Sequence, residues 1–412
     1  MVAMAPAARG QRDAAVTALV GMAHYSSHVM QLALPPLFPI LHGEFGVGFT
    51  ELGLIVTLFY VASGLGQAAA GILVDRYGAQ RLLVAGVAVL ALSILLAGLV
   101  GSYWMLLPLA VIGGLGNSVF HPADLSILSH RVSEGRLGRA YAAHSIAGTL
   151  GYATSPVLIA AVAAYGNWRL ALGIVGIAGL SVALVLYINR SLLIYAQSLA
   201  SRPTEAGQRR PGYLQVVGSP VVLMAFAYFA MTAFAGSGLQ TFSITALVSG
   251  YGVLLKVATL GLTGYLVGSA GGMVLGGFLA DRTRHHHRVA MSGIAVAAAL
   301  MLLMSALAGY APAVVPVMML AGIANGITAP SRDVLIRRAA AGAGMGSVFG
   351  FVYSGFDLGS STAPLLFGAL LDHHAPHAVF IAVACAFALA VPTVMQVQHR
   401  AAARRQATAG AD

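Results

Sequence analysis

The residues of this chain that could do chemistry are histidines and carboxylates set inside long apolar stretches. His24 and His28 lie four residues apart and Gln31 follows three residues later, so a helix would place all three on one face. Imidazole titrates near physiological pH, and it can carry protons, bind substrate or ligate a metal. Two histidines four residues apart also have a metal-ligand spacing. The sequence forces no third ligand nearby, so we assign no metal site and keep transition-metal transport only as an alternative.

A second polar stripe combines Asn117, His121 and Asp124, which recur at the same helical spacing. An ionisable side chain at the centre of a bilayer costs at least ~2.5 to 3.5 kcal/mol and therefore normally faces protein or a wet cavity. His144, in the next apolar stretch, is a further candidate for that cavity, with packing alone as its alternative role. The candidates for proton coupling or substrate contact in the two stripes are His24, His28, His121 and Asp124.

Asp357 is the acid placed nearest to the middle of an apolar stretch, about 15 Å along a helix axis from the start of that stretch. A carboxylic acid in a low-dielectric cavity can take up a proton from one side and release it to the other. The alternative is a protonated acid that only hydrogen-bonds a neighbouring helix, and we favour proton coupling or substrate contact. Polar candidates for lining the same cavity are Gln31, Asn117, His144, Thr149, Gln240, Asn325 and Tyr353.

Membrane-spanning helices must position these residues, because 58% of the 412 residues are hydrophobic and only 8% are charged. A helix needs roughly 20 apolar residues to cross a bilayer. This composition excludes a water-soluble enzyme, a DNA-binding module and a disordered scaffold. The predicted fold class is an all-α membrane protein whose twelve spans cover residues 14–40, 50–74, 82–101, 104–129, 139–163, 169–189, 218–247, 256–280, 289–309, 312–336, 347–371 and 378–397.

The sequence also argues against catalytic chemistry. Its one cysteine, Cys385, excludes a disulfide framework and any site built from several cysteines. No nucleophile and base show a recognisable spacing outside the ordinary polarity of the spans. We therefore expect no enzyme activity, no catalytic residue and no cofactor, with a proton gradient as the energy source.

The net charge of +10 is a topology signal. All lysines and arginines except Arg169, Lys256 and Arg332 fall at the termini or in one set of alternate loops. Lys and Arg accumulate on the cytoplasmic face of membrane proteins. We therefore expect both termini in the cytoplasm and the chain in a bacterial-type inner membrane. The first apolar stretch is too long for a cleavable signal peptide.

The two halves of the chain repeat each other. Gly71-Ile72-Leu73-Val74-Asp75-Arg76 reappears 206 residues later as Gly277-Phe278-Leu279-Ala280-Asp281-Arg282, and Gly151 and Pro156 reappear 208 residues later as Gly359 and Pro364. Such a repeat predicts two six-helix bundles related by a pseudo-twofold axis along the membrane normal. The predicted organisation is a cytoplasmic N-terminus (1–13), a first bundle (14–190), a cytoplasmic linker (191–217), a second bundle (218–397) and a cytoplasmic tail (398–412).

The repeat also pairs two opposite charges. Asp124 corresponds to Arg332, as Asn117 corresponds to Asn325. An ion pair across the cavity is one interpretation, and neutralisation of Arg332 by the adjacent Asp333 is another. Because both positions lie only ~8 to 10 Å along the helix from the basic loops that follow, a gate competes with substrate binding as their role.

Gly71-x-x-x-Asp75-Arg76-x-Gly78-x-x-Arg81, in the loop after the second span, resembles the signature loop of the major facilitator superfamily of secondary transporters. The resemblance covers nearly the whole chain; Gln80 stands where a second basic residue is common. It implies transport by alternating access, with these residues closing the cytoplasmic side and Asp75 facing the start of the eleventh span. The shorter echo at Asp281 and Arg282 would act likewise. The implied cytoplasmic gate comprises Gly71, Asp75, Arg76, Gly78, Arg81, Asp281 and Arg282.

Two further segments concern the direction of transport. Gly148-Thr149-Leu150-Gly151-Tyr152 with Pro156 resembles the antiporter motif of drug exporters, although it lacks the Gly-Pro dipeptide, and Phe120-His121-Pro122 resembles the fosmidomycin-resistance type of exporter. We therefore expect a monomeric proton-coupled exporter of a small organic compound. The alternatives are a proton symporter that imports a small organic anion, with Arg332 as carboxylate partner, and a membrane receptor or scaffold that transports nothing.

Overall fold

A computed structural model describes residues 6–195, 218–283, 285–307, 309–339 and 345–409. Within these ranges the regular secondary structure is helical, apart from short turns. The α-helices are α1 (Pro6–Gln31), α2 (Phe38–Phe45), α3 (Phe49–Tyr77), α4 (Ala79–Ala97), α5 (Leu106–Asn117), α6 (Phe120–Arg131), α7 (Glu134–Tyr165), α8 (Trp168–Ile188), α9 (Arg190–Leu193), α10 (Pro220–Thr245), α11 (Leu255–Arg282), α12 (His286–Leu307), α13 (Ala311–Ala339), α14 (Met345–Asp372) and α15 (Pro376–Ala409).

Ten helical segments of the described chain are long and apolar enough to cross a membrane. One of these segments, Tyr103–Arg131, combines α5 and α6. Two further long helices, α1 and α14, lie where the sequence predicts the first and eleventh spans. The all-α membrane fold predicted from the sequence is confirmed.

Proline interrupts two of the predicted spans. Helix α1 ends at Gln31, and Pro35–Leu37 forms a separate 3₁₀ turn before α2 begins. The fourth span breaks between α5 and α6 just before Pro122, which has no N–H to donate to the carbonyl one turn earlier. The break starts a new helix just before His121, and α6 then presents His121 and Asp124 within its first turns.

The chain divides into two compact units. Unit 1 contains Met1–Val47 and Leu54–Pro203, and unit 2 contains Gly48–Gly53 and Thr204–Asp412. The short segment Gly48–Gly53 belongs to unit 2, where the Asp372 carboxylate accepts hydrogen bonds from the backbone N–H groups of Phe49 (2.7 Å) and Thr50 (2.8 Å). The main division falls inside the predicted linker at residues 191–217; the predicted domain boundaries otherwise stay predictions.

The sequence repeat has a structural counterpart within each unit. In unit 1, α7 packs so closely on α1 that a Cβ atom on Gly151 would collide with the carbonyl oxygen of Tyr25. In unit 2, α14 packs on α10 in the same way, and a Cβ atom on Gly359 would collide with the carbonyl oxygen of Ala230. Glycine at these two positions lets the helix backbones approach closely.

Candidate functional site

Unit 1 encloses a group of imidazoles around one carboxylate. Helix α1 contributes His24 and His28, α6 contributes His121 and Asp124, and α7 contributes His144. We call these five residues the His–Asp cluster. Asp124 is fully buried, and its Oδ2 lies 3.0 Å from Nε2 of His144 and 3.3 Å from Nδ1 of His24. One carboxylate oxygen therefore faces two imidazoles from two other helices.

The imidazole rings of the cluster lie against one another. The rings of His24 and His144 stack with centroids 3.7 Å apart and an interplanar angle of 22°. His28 lies 4.4 Å and His121 lies 5.4 Å from the His24 ring, between centroids. His24 and His144 are buried, whereas His121 is exposed. The cluster therefore has a buried interior and one edge open to its surroundings.

Several polar atoms of the cluster have no hydrogen-bond partner among the described residues. They are Oδ1 of Asp124 and Nδ1 of both His24 and His28, and all three are buried. Nδ1 of His24 lies 3.3 Å from Oδ2 of Asp124, within ion-pair distance but not aligned for a hydrogen bond. Buried polar atoms left unpaired cost about 1–3 kcal/mol each. The cluster therefore contains buried polar atoms that a ligand would satisfy.

A glycine on α7 makes room for the histidines of α1. A Cβ atom on Gly148 would lie 2.8 Å from Cδ2 and Nε2 of His24 and 3.0 Å from Cε1 of His28. Gly148 is one helical turn beyond His144 on the same face of α7. The sequence Gly-x-x-Gly at residues 148–151 thus seats α1 close enough for His24 to reach Asp124.

A chain of hydrogen bonds runs one helical turn away from the cluster. The Tyr152 hydroxyl donates to Oε1 of Gln31 (2.7 Å), Nε2 of Gln31 donates to Oδ1 of Asn117 (2.8 Å), and Nδ2 of Asn117 donates to Oγ of Ser63 (2.9 Å). We call these four hydrogen-bonded side chains the amide chain, after the two amides at its centre. It joins α7, α1, α5 and α3. It contacts the cluster where the Tyr152 ring lies 4.1 Å from the His28 ring, between centroids.

The sequence analysis selected Gln31 and Asn117 but missed Ser63 and Tyr152 as members of this network. Tyr152 could have been found, because it follows His144 at two helical turns and so shares its face of α7. Ser63 is a single hydroxyl within an apolar helix, and its sequence carries no signal that separates it from other serines in the spans. Thr149, a predicted cavity residue, instead donates to the Ser145 carbonyl within its own helix (3.1 Å).

Unit 2 holds the other acid selected from the sequence. Asp357 lies on α14 and is half-buried. No hydrogen bond or ion pair joins its carboxylate to another side chain of the described part of the chain. Its neighbour Phe356 packs edge-on against Phe229, with centroids 5.4 Å apart. Asp357 is therefore a carboxylate inside a membrane protein without a basic partner among the residues described.

The remaining candidates of unit 2 lie on α10, α13 and α14. The Arg332 guanidinium lies over the Phe229 ring at 4.7 Å from its centroid. Nδ2 of Asn325 donates to the Tyr265 hydroxyl (3.1 Å). Gln240 is half-buried on α10. The side chains of Tyr353 and Asp333 lie outside the described residues, and the pairing of Asp124 with Arg332 stays a prediction.

The predicted gate residues lie where the sequence motif predicts a turn. Gly78 immediately precedes α4 and has a φ of 94°, a positive value that glycine adopts without strain. Asp75, Arg76 and Arg81 are exposed around this turn. Arg282 is also exposed, and the Asp281 side chain lies outside the described residues. Gly71 has open space beside it. The gate itself stays a prediction.

The structure thus brings His24, His28, His121, Asp124 and His144 together in unit 1 and places Gln31 and Asn117 beside them. It leaves Thr149 out of this group and puts Asp357, Arg332, Asn325 and Gln240 in unit 2. The assignment of these residues to proton coupling, substrate contact or cavity lining stays a prediction.

A family model of the Major Facilitator Superfamily matches residues 16–308 and 253–411, which together cover nearly the whole chain. The chain belongs to the major facilitator superfamily. The resemblance seen in the sequence is therefore confirmed. This superfamily member is a secondary transporter of a small-molecule substrate, as predicted, and not an enzyme.

The chain is similar in sequence to two curated proteins and in structure to one solved transporter. It is 25% identical to the fosmidomycin resistance protein of Escherichia coli K12 over 284 residues, which is 68% of each chain. It is 27% identical to a probable L-galactonate transporter of the same organism over 150 residues, 36% of this chain and 33% of that protein. A crystal structure of a bacterial homologue of the human lysosomal transporter Spinster, inward-facing and occupied, superposes with a TM-score of 0.74 at 16% identity, covering 94% of this chain and 97% of that one. This last likeness shows the fold alone.

Proposed function

We propose that this protein is a proton-coupled secondary active transporter that exports a small organic compound by alternating access of two six-helix bundles. The proposal rests on the secondary-transporter family together with one observation, the half-buried Asp357 carboxylate within α14, which has no partner among the described residues. In this proposal Asp357 carries the proton. Both termini lie in the cytoplasm, and the membrane is the inner membrane of a bacterial-type cell.

The environment of Asp357 suits a group that exchanges protons during transport. A proton carrier must meet water in one state and become enclosed in another. Enclosing an unpaired carboxylate costs on the order of several kcal/mol, while its protonated form carries no charge. Closure of the protein around Asp357 therefore favours the protonated or substrate-compensated state, and this difference couples the proton to the conformational change.

Similarity to a fosmidomycin resistance protein supports the direction. A resistance protein that is a secondary transporter protects a cell by moving a compound outward. We extend this to an exporter that exchanges an outgoing organic compound for an incoming proton. The sequence motif at residues 148–152 supports the same direction.

The experiment is flux driven by a pH gradient in proteoliposomes, screened over a panel of organic compounds by solid-supported-membrane electrophysiology. We expect a current for at least one compound. Asp357→Asn should lower the gradient-driven flux at least about 100-fold, equivalent to ~2.7 kcal/mol, and Asp357→Glu should restore part of it. Glu44→Gln is the matched control, because it neutralises an exposed carboxylate that pairs with Arg169. Gradient-driven flux that survives Asp357→Asn would remove Asp357 from the proposal.

A second candidate is a proton symporter that imports a small organic anion. Arg332, half-buried over Phe229, supplies a cation inside unit 2, and similarity to a probable L-galactonate transporter favours an organic anion. The same compound panel separates the two. Uptake of a carboxylate in the direction of proton entry, lost in Arg332→Gln, would favour the symporter. Failure to move any solute would favour a receptor or scaffold.

A further inference from the structure

We propose that the His–Asp cluster of unit 1 binds one first-row transition-metal ion, with His24, Asp124 and His144 as its protein ligands. The sequence offered two histidines at a ligand spacing and no third ligand. The fold supplies the missing groups from α6 and α7. This inference is independent of proton coupling at Asp357, because it concerns a different unit and different residues.

The separations between ligand atoms suit a single ion. Zn–N and Zn–O bonds of about 2.0–2.1 Å in a tetrahedral site put neighbouring ligand atoms ~3.3 Å apart. The observed separations are 3.3 Å from His24 Nδ1 to Asp124 Oδ2 and 3.0 Å from His144 Nε2 to the same oxygen. One ligand atom from each of the three residues lies within 4.8 Å of the others.

The rings must turn to coordinate an ion. An ion lies in the plane of each imidazole that binds it, and the His24 and His144 rings are now stacked with an interplanar angle of 22°. The χ2 torsion of histidine has a broad energy well. Rotation of His24 or His144 about χ2 would therefore tilt one ring relative to the other. Such a rotation exchanges ring stacking for two metal bonds.

The cluster holds further donors for the remaining coordination position. Nδ1 of His28 and Oδ1 of Asp124 are buried and have no hydrogen-bond partner among the described residues. His28 lies 4.4 Å from His24 between ring centroids, so it is the candidate fourth ligand. His121 is exposed at the open edge of the cluster, 6.4 Å from His144 between centroids. An ion would enter past His121.

The donor set defines the class of ion. Imidazole nitrogens with one carboxylate suit Zn²⁺, Co²⁺, Ni²⁺ and Cu²⁺, whereas Mg²⁺ and Ca²⁺ prefer sites built of oxygen ligands. Bound at this site, a divalent ion would tie α1, α6 and α7 together. Binding to the folded state alone raises stability, so the ion should raise the melting temperature of the protein.

The test uses tag-free, full-length protein in detergent and ZnCl₂ as the probe. The background variant His285→Gln/His287→Gln replaces two histidines of a loop outside the cluster, because these imidazoles could bind zinc themselves. In this background we expect one zinc ion per chain by isothermal titration calorimetry and a raised melting temperature. Adding His144→Gln or Asp124→Asn should weaken zinc binding at least about 10- to 100-fold, the loss typical when only an outer-shell partner of a ligand is removed. MgCl₂ should give neither heat nor a melting shift.

Cobalt gives a readout that needs no substitution within the cluster. Co²⁺ in a tetrahedral site of imidazole and carboxylate ligands absorbs strongly in the visible, and the background variant should show this band at one equivalent. Absence of the band together with absence of a zinc heat in this background overturns the proposal. Zinc binding that is unchanged by His144→Gln and His24→Gln overturns it as well.

Discussion

Two acids on the helices of this transporter, Asp124 and Asp357, have opposite surroundings. Asp124 of unit 1 is fully buried, and one of its oxygens faces two imidazoles at 3.0 and 3.3 Å. Asp357 of unit 2 is half-buried and has no basic partner among the residues described. A carboxylate enclosed by nitrogen ligands suits binding of an ion, whereas an isolated carboxylate suits exchange of a proton. The sequence indicated both acids as candidates for proton coupling or substrate contact, with a gate as a further role for Asp124; their different surroundings favour different roles.

The comparison also shows which features the internal repeat preserved. Gly151 and Gly359 occupy equivalent helix contacts, and Asn117 and Asn325 each donate a hydrogen bond to the second long helix of their own unit. The chemical groups are not repeated. His144 corresponds to Val352, which is fully buried, and Asp124 corresponds to Arg332. The duplicated scaffold was kept while each half acquired its own polar groups.

Removing the carboxylate of Asp124, the fully buried acid, should have the largest effect on stability. Asp124→Ala removes the buried carboxylate that hydrogen-bonds His144 and faces His24, and we expect a loss of about 2–4 kcal/mol. Asp357→Ala should cost less than about 1 kcal/mol, because no hydrogen bond of the described part of the chain is broken. The measurement is unfolding in a titration with SDS, with EDTA present so that no metal contributes. Equal losses in the two variants would contradict the distinction between the two acids.

The repeated helix contacts should be equally sensitive in both units. Gly151→Ala and Gly359→Ala each force a methyl group against a backbone carbonyl of the facing helix, at a cost of about 1–3 kcal/mol. The same SDS titration measures both. Gly71→Ala is the control, since nothing lies within 4 Å of the position of its Cβ atom. A large loss of stability in only one variant would show that the helix contacts at Gly151 and Gly359 are not equivalent.

The two repeated asparagines should differ by a smaller amount. Asn117→Leu breaks two hydrogen bonds of the amide chain, to Gln31 and Ser63, whereas Asn325→Leu breaks the one to Tyr265. At about 1 kcal/mol for each hydrogen bond, the loss at Asn117 should exceed that at Asn325 by ~1 kcal/mol. Gln31→Leu should match Asn117→Leu, because it also breaks two bonds of the chain.

Much of the fold followed from the sequence because hydropathy reports directly on lipid burial. The predicted spans correspond to long helices, and the repeat at Gly151 and Gly359 identified real helix contacts. The end of α1 and the break before α6 differ from the predicted spans. Each lies beside a proline, which lacks a backbone N–H, although Pro156, Pro330 and Pro364 lie inside unbroken helices and hydropathy alone does not distinguish the two cases.

The site was only partly predictable for a different reason. Helical spacing shows which residues share one face, as for His24 with His28, but not how neighbouring helices rotate. The meeting of His24, Asp124 and His144 depends on the close packing that Gly148 allows between α7 and α1. Ser63 entered the amide chain through such packing alone. No single-helix pattern carries that information.

The most direct test of the account is a paired assay on Asp357→Asn in proteoliposomes. Substrate counterflow, which needs no net proton transfer, and substrate-driven proton movement, followed with a pH-sensitive dye inside the vesicles, are measured on the same preparation. If Asp357 carries the transported proton, counterflow continues in this variant while proton movement falls at least about 100-fold. Proton movement that persists at the wild-type rate in this variant would contradict the assignment of the transported proton to Asp357.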